Sequence, residues 1–217
     1  MTGTSSKPQQ APTRPRGRPA GRTSADGVIA NSTALLTTAE ALIRASGPTV
    51  SLQAIAEQAG VTKPTLYREV GDRDALVKAL ADRLSVRMAS SVSQMVAQAR
   101  EPREGLRNLV AGYLHLAAKD RNLYLYITAG GSRDDRVQQS LLLADGAASQ
   151  FAEPIAAYRR MHGDEPDVAN VWSYGLLGAL HFVTLWWLRD STADINLVIE
   201  QITELLWSGL GHPIGTK

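Results

Sequence analysis

Four side chains that hydrogen-bond well to anions and to base edges fall within six residues, from Lys63 to Arg68. Lys63 and Arg68 are cations, and Thr65 and Tyr67 carry hydroxyl groups that both donate and accept hydrogen bonds. At this spacing they would spread over the outer surface of one short helix. Such side chains suit phosphate oxygens and base edges, so the segment predicts contact with nucleic acid.

Residues 51–74 have the pattern of two short helices joined by a tight turn, which would hold these side chains. Ser51 and Thr62 have the chemistry of N-caps, because their hydroxyl oxygens accept hydrogen bonds from free backbone amides. Gly60 is placed to end the first helix, and Pro64 falls in the first turn of the second, where its missing N–H is not needed. The pattern predicts a helix-turn-helix, a unit that lays one helix in the major groove of DNA.

Four motifs in and around this unit follow a family pattern. They are Ile55-Ala56, Ala59-Gly60-Val61, Thr62-Lys63-Pro64-Thr65-Leu66-Tyr67 and Asp72-Arg73-Asp74-Ala75-Leu76. Through these motifs, residues 28–84 resemble the DNA-binding module of the tetracycline-repressor (TetR) family. The family often has other residues at four places, which here are Gln53, Arg68-Glu69, Val70-Gly71 and Arg73. Among these, Arg68 favours guanine, whose O6 and N7 atoms accept hydrogen bonds from a guanidinium.

The resemblance implies that the third helix of each subunit enters the major groove, and that a dimer reads a pseudo-palindromic operator. Lys63, Thr65 and Arg68 would then lie near base edges. Tyr67 and Ser51 would contact phosphates, and Arg73 would join them from the start of the fourth helix. The candidate DNA-binding residues of the module are Ser51, Thr62, Lys63, Pro64, Thr65, Tyr67, Arg68 and Arg73.

The positive charge of the chain is concentrated at the start of the sequence. Residues 1–22 hold five of the 23 basic residues and no acidic one, which leaves 18 basic and 21 acidic residues elsewhere. Residues 1–24 contain almost nothing apolar and are predicted to be a disordered basic arm. Within this arm, Pro15-Arg16-Gly17-Arg18-Pro19 resembles the core of an AT-hook, which binds the minor groove of A·T-rich DNA; the other interpretation is a solvated basic leader. The candidate arm contacts are Arg14, Arg16, Arg18 and Arg22.

Composition favours helices and excludes several kinds of site. Of the 217 residues, 44% are apolar, with abundant Ala and Leu and only two Phe, which predicts an all-α fold with a real core. The absence of Cys excludes disulfides, thiolate metal sites and thiol nucleophiles. The longest apolar run, residues 174–188, is shorter than the roughly 20 residues that span a bilayer, and no secretory signal is visible. A soluble cytoplasmic protein without a membrane partner is expected.

Beyond the module, breaks such as Gly130-Gly131 separate helical segments. The prediction is an N-terminal three-helix helix-turn-helix domain at residues 25–72, followed by a larger helical bundle at residues 73–217 for ligand binding and dimerisation. The last two helices are more apolar than one buried face requires, which favours a homodimer in which they pair with their copies; the resemblance implies the same interface. The helical segments of the bundle are predicted at residues 103–119, 123–129, 133–162, 167–189 and 193–210.

A group of aromatic and apolar residues in the bundle could line a cavity for a small, mostly apolar or aromatic molecule. For each residue alone, ordinary core packing is the other interpretation, and the pocket is implied by the family and not by spacing. The candidate ligand-binding residues are Tyr113, Leu116, Tyr124, Ile127, Phe151, Trp172, Tyr174 and His181.

Neither catalysis nor metal binding is indicated by the sequence. The four histidines lack zinc-binding spacing, and no nucleophile motif, phosphate-binding loop or dinucleotide fingerprint is present. The expected function is a dimeric, sequence-specific transcriptional repressor that a small ligand releases from its operator, with no catalytic residue, metal or cofactor. The alternative is an architectural or nucleoid-type DNA-binding protein whose bundle serves only to dimerise it.

Overall fold

The computed structural model describes residues 25–129, 148 and 151–211 of the chain, and no strand occurs among them. Consecutive helices account for most of these residues, which confirms the predicted all-α class. A short 3₁₀ turn at Pro166–Val168 precedes the eighth helix, and residue 148 is also helical. In chain order the helices are α1 (Ala25–Ser46), α2 (Leu52–Gln58), α3 (Lys63–Val70), α4 (Arg73–Val96), α5 (Pro102–Lys119), α6 (Arg121–Ala129), α7 (151–161), α8 (Ala169–Asp190) and α9 (Ile195–Gly211).

Side-chain caps fix the starts of α2, α3 and α4. The hydroxyl oxygen of Ser51 accepts a hydrogen bond from the amide of Ala54 at 3.1 Å. Thr62 caps α3 in the same way, and a carboxylate oxygen of Asp72 accepts from the amide of Ala75 at 2.9 Å at the start of α4. Each cap satisfies a backbone donor that the helix leaves free and contributes about 1 kcal/mol.

Two glycines with positive φ angles make the turns on either side of α3. Gly60 follows α2 with φ 66°, as its place in the sequence predicts, and Gly71 connects α3 to α4 with φ 92°. L side chains rarely adopt such angles. At Gly71 an added Cβ would also lie 2.6 Å from the Cβ of Ala75. The path from α3 into α4 therefore requires glycine at this position.

A first hydrophobic core joins α1, α2, α3, the first half of α4, and α6. Ile43, Ile55, Leu66, Leu80 and Tyr126 are fully buried in it, one from each of these helices. Because α6 comes from the predicted ligand-binding domain, this core spans the predicted division between residues 72 and 73. The exact place of that division stays a prediction.

A second hydrophobic core joins the end of α4 with α5, α8 and α9. Val92, Leu114, Leu180 and Ile199 are buried in it, one from each helix. α4 therefore belongs to both cores and runs without a break from the end of α3 to the second core. A displacement at one end of such a helix is carried to the other end, because its backbone hydrogen bonds keep it rigid.

Ion pairs reinforce the packing of α1 against α4 and α6. The side chain of Glu40 is only 6% exposed and lies between 3.1 and 3.3 Å from nitrogens of Arg44, Arg83 and Arg87. Arg44 also donates to Asp120 at 2.7 Å, just before α6 begins. The hydrogen bond to Asp120 raises the pKa of Arg44, so this link persists at every physiological pH.

Three predicted features lie outside the described residues: the arm at residues 1–24, the break at Gly130-Gly131, and part of the helix predicted at residues 133–162. Where that helix is described, at residues 148 and 151–161, the chain is helical as predicted.

Among the described helices, one stretch, Pro166–Arg189, is long and apolar enough to cross a bilayer by length and composition. It is longer than the apolar run of residues 174–188 because Asn170 and Ser173 continue the helix. One-third of its most apolar window, 33%, is buried inside the molecule, and a core helix of a soluble protein meets the same criteria. The stretch is therefore weak evidence for a membrane span.

Candidate functional site

α3 presents a polar surface around one buried anchor, Leu66, which is 1% exposed. Lys63, Tyr67 and Arg68 are exposed, and the ammonium of Lys63 lies 5.8 Å from the centre of the Tyr67 ring. These side chains project from an accessible helix of eight residues. A helix of this size and chemistry can enter a groove of DNA.

The other candidates of the module surround the start of α3 and of α2. Pro64 is exposed in the first turn of α3 and Thr65 is half-buried, with its hydroxyl oxygen 2.9 Å from that of Thr62. The hydroxyls of Ser51 and Thr62 each accept from a backbone amide, at 3.1 and 3.4 Å. Because a hydroxyl also carries a hydrogen, Ser51 remains able to donate to a phosphate oxygen.

The side chain of Arg68 forms an ion pair with that of its neighbour Glu69. Its Nε and Nη2 atoms lie 2.9 and 2.8 Å from the same carboxylate oxygen, Oε1 of Glu69. The side chain of Arg68 is 69% exposed, whereas that of Glu69 is 5% exposed. An outward-facing cation is thus held by a buried acid on the same helix.

Arg73 lies against the body of the protein. Its guanidinium carbon is 4.9 Å from the centre of the Tyr126 ring, so the contact joins the first turn of α4 to α6. Burial raises the pKa of Tyr126 above its usual value of 10, and the positive charge of Arg73 partly opposes this. A guanidinium that stacks on a ring keeps its in-plane N–H groups free, so Arg73 remains able to donate to a phosphate.

A cavity of about 580 Å³ lies at the other end of α4, among α4, α5, α7, α8 and α9. Its volume falls within the range of sites that hold drug-sized molecules. The charged residues at the cavity are Arg100 and Glu101, in the connection between α4 and α5. Most other lining residues are aliphatic or aromatic and include Val96, Leu106, Leu109, Phe151, Ile155, Tyr158, Trp172, Leu176 and Trp207.

Two of the eight candidate ligand residues, Phe151 and Trp172, line this cavity. Tyr174 lies on the exposed surface of α8. Leu116 is partly buried against both cores, and Ile127 is buried in the first core. Five of the eight candidates thus lie in the cavity wall, on the surface or in the hydrophobic cores. The other three, Tyr113, Tyr124 and His181, form a separate group.

Residues in and next to the α4–α5 connection were missed by the sequence-based choice. Val96, Ala99 and Leu106 line the cavity but are aliphatic residues of a kind that usually forms ordinary core. Pro102 and Gly105, which also line it, lie at the start of α5. These two residues are the only signal that the sequence offered, and they do not point to a cavity.

Tyr113, Tyr124 and His181 form a hydrogen-bonded chain between α5, α6 and α8. The two hydroxyl oxygens are 3.1 Å apart, and that of Tyr124 lies 2.9 Å from Nδ1 of His181. Burial raises the pKa of both tyrosines, that of Tyr124 well above its usual 10 with a further contribution from Tyr113. Burial lowers the pKa of His181 below 6.5. All three groups are therefore neutral at physiological pH.

The lowered pKa of His181 predicts a loss of stability in mild acid. The unfolded chain protonates this imidazole near pH 6.5, whereas the folded chain does so only at lower pH. Since the unfolded state then binds more protons, the free energy of unfolding decreases as the pH falls from above 6.5 to below it.

Thermal melts over this range check the prediction with a matched pair of variants. His181→Asn keeps a polar group near the position of Nδ1 but does not titrate, so its melting temperature should depend less on pH than that of the wild type. His115→Asn changes an exposed histidine and should follow the wild type. Equal pH dependence in His181→Asn and the wild type would contradict the role of burial.

α8 and α9 carry six of the nine large apolar side chains that are exposed in the described residues. Gly175 and Gly178 also lie on α8, and an added Cβ at either would meet no neighbouring atom of the described residues within 4 Å. These six side chains, each 42% to 71% exposed, are Val171, Tyr174, Phe182, Trp186, Leu197 and Leu205. In the part of the chain that is described, no three Asp, Glu, His or Cys residues gather closely enough to hold a metal ion.

Comparison with known proteins identifies the module. Residues 35–80 match the family model described as bacterial regulatory proteins of the tetR family. An uncharacterised helix-turn-helix transcriptional regulator of Mycobacterium tuberculosis is 28% identical over 175 residues, 77% of this chain and 72% of that protein. The helix-turn-helix transcriptional activator FasR of Mycolicibacterium smegmatis is 24% identical over 182 residues, 82% of this chain and 81% of that protein.

Solved structures share the fold over most of the chain. A TetR-family regulator from Syntrophomonas wolfei superposes with a TM-score of 0.69 at 15% identity and covers 87% of this chain and 99% of its own. The regulator FadR from Bacillus subtilis, in complex with stearoyl-CoA, superposes with a TM-score of 0.64 at 17% identity, covering 82% and 98%. Together with the capped and exposed α3, the matched module, the regulator relatives and the shared fold support a transcriptional regulator of the TetR family.

Proposed function

We propose that this regulator is a cytoplasmic, homodimeric repressor that binds a pseudo-palindromic operator and is released by a small, mostly apolar effector. The observation that carries the proposal is α3, which exposes Lys63, Tyr67 and Arg68 and is anchored in the core by Leu66. Two such helices related by a two-fold axis would read two half-sites about one helical turn apart, or multiples of it.

Each candidate DNA contact has a role that fits its surroundings. Lys63, Thr65 and Arg68 would face base edges, since they lie on the exposed part of α3 or beside it. Tyr67 and the hydroxyl of Ser51 would donate to phosphates, with Arg73 joining them through the N–H edge that its stacking on Tyr126 leaves free. Thr62 and Pro64 would set the start of α3 against the backbone of the duplex.

For the effector we propose the cavity at the end of α4, with Phe151 and Trp172 in its wall. The aliphatic and aromatic lining fits a long hydrocarbon chain or a fused aromatic molecule. The complex of Bacillus subtilis FadR with stearoyl-CoA shows that this fold accommodates an acyl chain in another protein. A fatty acyl thioester is therefore the first effector to try.

Induction would act through α4, which reaches from the cavity to α3. Ser93 and Val96 of α4 line the cavity, and Leu76 and Leu80 of the same helix lie in the core that holds α3. A ligand that tilts α4 would change the separation of the two recognition helices. Binding the spread-apart form about a hundredfold better, or roughly 2.7 kcal/mol, would weaken operator binding by a similar factor if the DNA-competent form otherwise predominates.

Effector control is tested by titrating stearoyl-CoA, coenzyme A and stearate against a labelled operator in the presence of the full chain. The acyl thioester is expected to lower operator affinity about a hundredfold, whereas coenzyme A alone should have no effect. Leu106→Trp fills part of the cavity and should reduce this response with operator binding retained. Val86→Trp, at an exposed position of α4, is the matched control. An affinity that no saturating ligand changes would remove induction but leave DNA binding intact.

The dimer would form through α8 and α9, whose exposed apolar side chains would be covered by their copies. Gly175 and Gly178 support this arrangement. A glycine inside a helix costs roughly 0.5–1 kcal/mol relative to alanine, and the described residues of the monomer offer no contact that would require its small size. Close approach of a second α8 across a two-fold axis would explain why glycine occupies both positions.

Residues 1–24 would add minor-groove contacts through Arg14, Arg16, Arg18 and Arg22. An arm tethered to a bound module engages at high effective concentration. Deleting residues 1–22 is therefore expected to weaken operator binding and to reduce the slope of log affinity against log salt by about 0.9 for each phosphate that the arm neutralises. Equilibrium binding across a salt series measures both, and an unaltered slope would reject the binding of phosphates by the arm.

Two alternatives have distinct readouts. An architectural DNA-binding protein, in which the basic arm dominates, would bind a random duplex as tightly as the operator, whereas the proposed regulator prefers its operator by at least a thousandfold.

The direction of regulation is a second question, because FasR is an activator. A promoter-reporter fusion that loses activity when the protein is supplied would support repression, and a gain would support activation.

A further inference from the structure

Glu69 is an acid on a helix that would approach a polyanion, and its surroundings are unfavourable for an acid. Its side chain is 5% exposed, and one oxygen, Oε2, is buried without a hydrogen-bond partner among the described residues. An unsatisfied buried acceptor costs stability, more so when it is charged. Glu69 also lies in the last turn of α3, where the helix dipole disfavours a negative charge.

Pairing with Arg68 does not compensate for these costs through stability. The two residues are adjacent in sequence, so they are not one of the i,i+3 or i,i+4 pairs that stabilise a helix. The side chain of Arg68 is 69% exposed, and ion pairs with a partner so open to solvent contribute little. Stability therefore does not explain the contact between Glu69 and Arg68, and its effect on the orientation of the Arg68 side chain remains as the explanation.

The contact determines which edge of the guanidinium is left free. A guanidinium has five N–H donors in one plane, and Glu69 Oε1 takes the edge formed by Nε and one hydrogen of Nη2, at 2.9 and 2.8 Å. The opposite edge, formed by Nη1 and the second hydrogen of Nη2, stays available. This end-on edge has two parallel donors, which match the O6 and N7 acceptors of guanine in the major groove.

We propose that Glu69 is a positioning residue for DNA specificity: it holds Arg68 with its end-on edge directed at one guanine in each half-site, and its charge opposes binding where that guanine is absent. The inference rests on the proposed entry of α3 into the major groove. Fixing the side chain in advance reduces the rotamer entropy that Arg68 loses on binding. The carboxylate offsets the attraction of Arg68 to phosphates of any sequence, which is a way of disfavouring wrong sites.

The experiment measures base preference position by position with the full-length protein. A library of randomised duplexes is selected with the wild type, with Arg68→Ala, with Glu69→Gln and with Glu57→Gln, and the selected sequences are counted. Glutamine preserves the size of glutamate, and melting curves confirm that each variant is folded. Glu57 is an exposed acid of α2, so its substitution changes the charge of the module by the same unit without touching Arg68.

In the wild type, one guanine position is expected to be preferred by roughly 5- to 150-fold over other bases. Arg68→Ala should abolish the preference at this position. Glu69→Gln should reduce it to within a few fold at the same position only, and raise affinity for a fixed random duplex. Glu57→Gln should leave the preference intact even where its charge raises non-specific affinity.

Several outcomes would overturn the inference. Retention of the full guanine preference by Glu69→Gln would show that Arg68 needs no positioning. A uniform loss at all positions would indicate a merely structural role for Glu69. An unchanged profile in Arg68→Ala would show that this side chain reads no base, although operator binding by the rest of α3 would stand. If the wild type selects no sequence at all, the proposed entry of α3 into the groove fails, and this inference fails with it.

Discussion

Phe182→Glu is expected to convert the protein into a monomer and to lower its operator affinity by at least a hundredfold. Phe182 is 70% exposed on α8, so the substitution leaves the folded subunit intact. In the proposed dimer, two introduced carboxylates would be desolvated close to the two-fold axis without partners, which costs several kcal/mol. Without the second subunit, the second half-site no longer binds at high effective concentration, and affinity falls by a factor of roughly 10² to 10⁴.

Sedimentation equilibrium and operator titration measure the two effects separately. Val86→Glu is the matched control, because Val86 is 69% exposed on α4 and receives the same charge away from α8 and α9. It should remain dimeric. A Phe182→Glu protein that stays dimeric with wild-type operator affinity would contradict an interface through α8.

Gly178→Ala provides a second test of a dimer interface through α8. If the glycine has no role beyond the monomer, alanine should raise the melting temperature, because no neighbouring atom in the described part of the chain lies within 4 Å of an added Cβ and helix propensity improves by up to about 1 kcal/mol. If a second α8 crosses here, the methyl group should instead weaken dimerisation. Opposite signs for subunit stability and dimer affinity therefore distinguish the two explanations.

Leu66→Ala is expected to abolish operator binding while the cavity and the dimer persist. Leu66 is the buried anchor of α3 and is 1% exposed. Truncating a fully buried leucine costs about 2–5 kcal/mol, because transfer free energy is forfeited and a cavity is left behind. A helix of eight residues is unstable on its own, so α3 detaches once its anchor is removed.

Urea unfolding and operator titration check this prediction, with direct effector binding and oligomeric state as readouts of the rest of the protein. Val86→Ala removes an exposed aliphatic side chain and should change neither stability nor binding. Retention of operator affinity within a few fold by Leu66→Ala would mean that DNA is read by another element.

The module around α3 was predictable because its signals are local. Caps at Ser51 and Thr62 and a left-handed glycine at Gly60 depend on the chemistry of residues next to them in sequence, and all three occur where predicted. The exposure of Lys63 and Tyr67 follows from helical periodicity once Leu66 points inward. These inferences need no knowledge of what packs against the module.

The cavity was predictable only in part, because its wall comes from five helices. Phe151 and Trp172 stand out in sequence as aromatic residues, but so do Tyr113 and Tyr124, which form an interior hydrogen-bonded chain instead of lining this cavity. Composition does not distinguish the two surroundings, since both are mostly apolar. Only the relative placement of α4, α5, α7, α8 and α9 does so.

By itself, the sequence determined the all-α class, the helix-turn-helix with its caps, and the polar face of α3, because helix formation and capping are governed by residues a few positions apart. The tertiary structure alone decided that Arg73 stacks on Tyr126 and that Glu69 is buried beside Arg68. It also decided that α4 connects the two hydrophobic cores. These features arise from contacts between helices distant in sequence, whose packing depends on the shapes of whole surfaces and not on any local pattern.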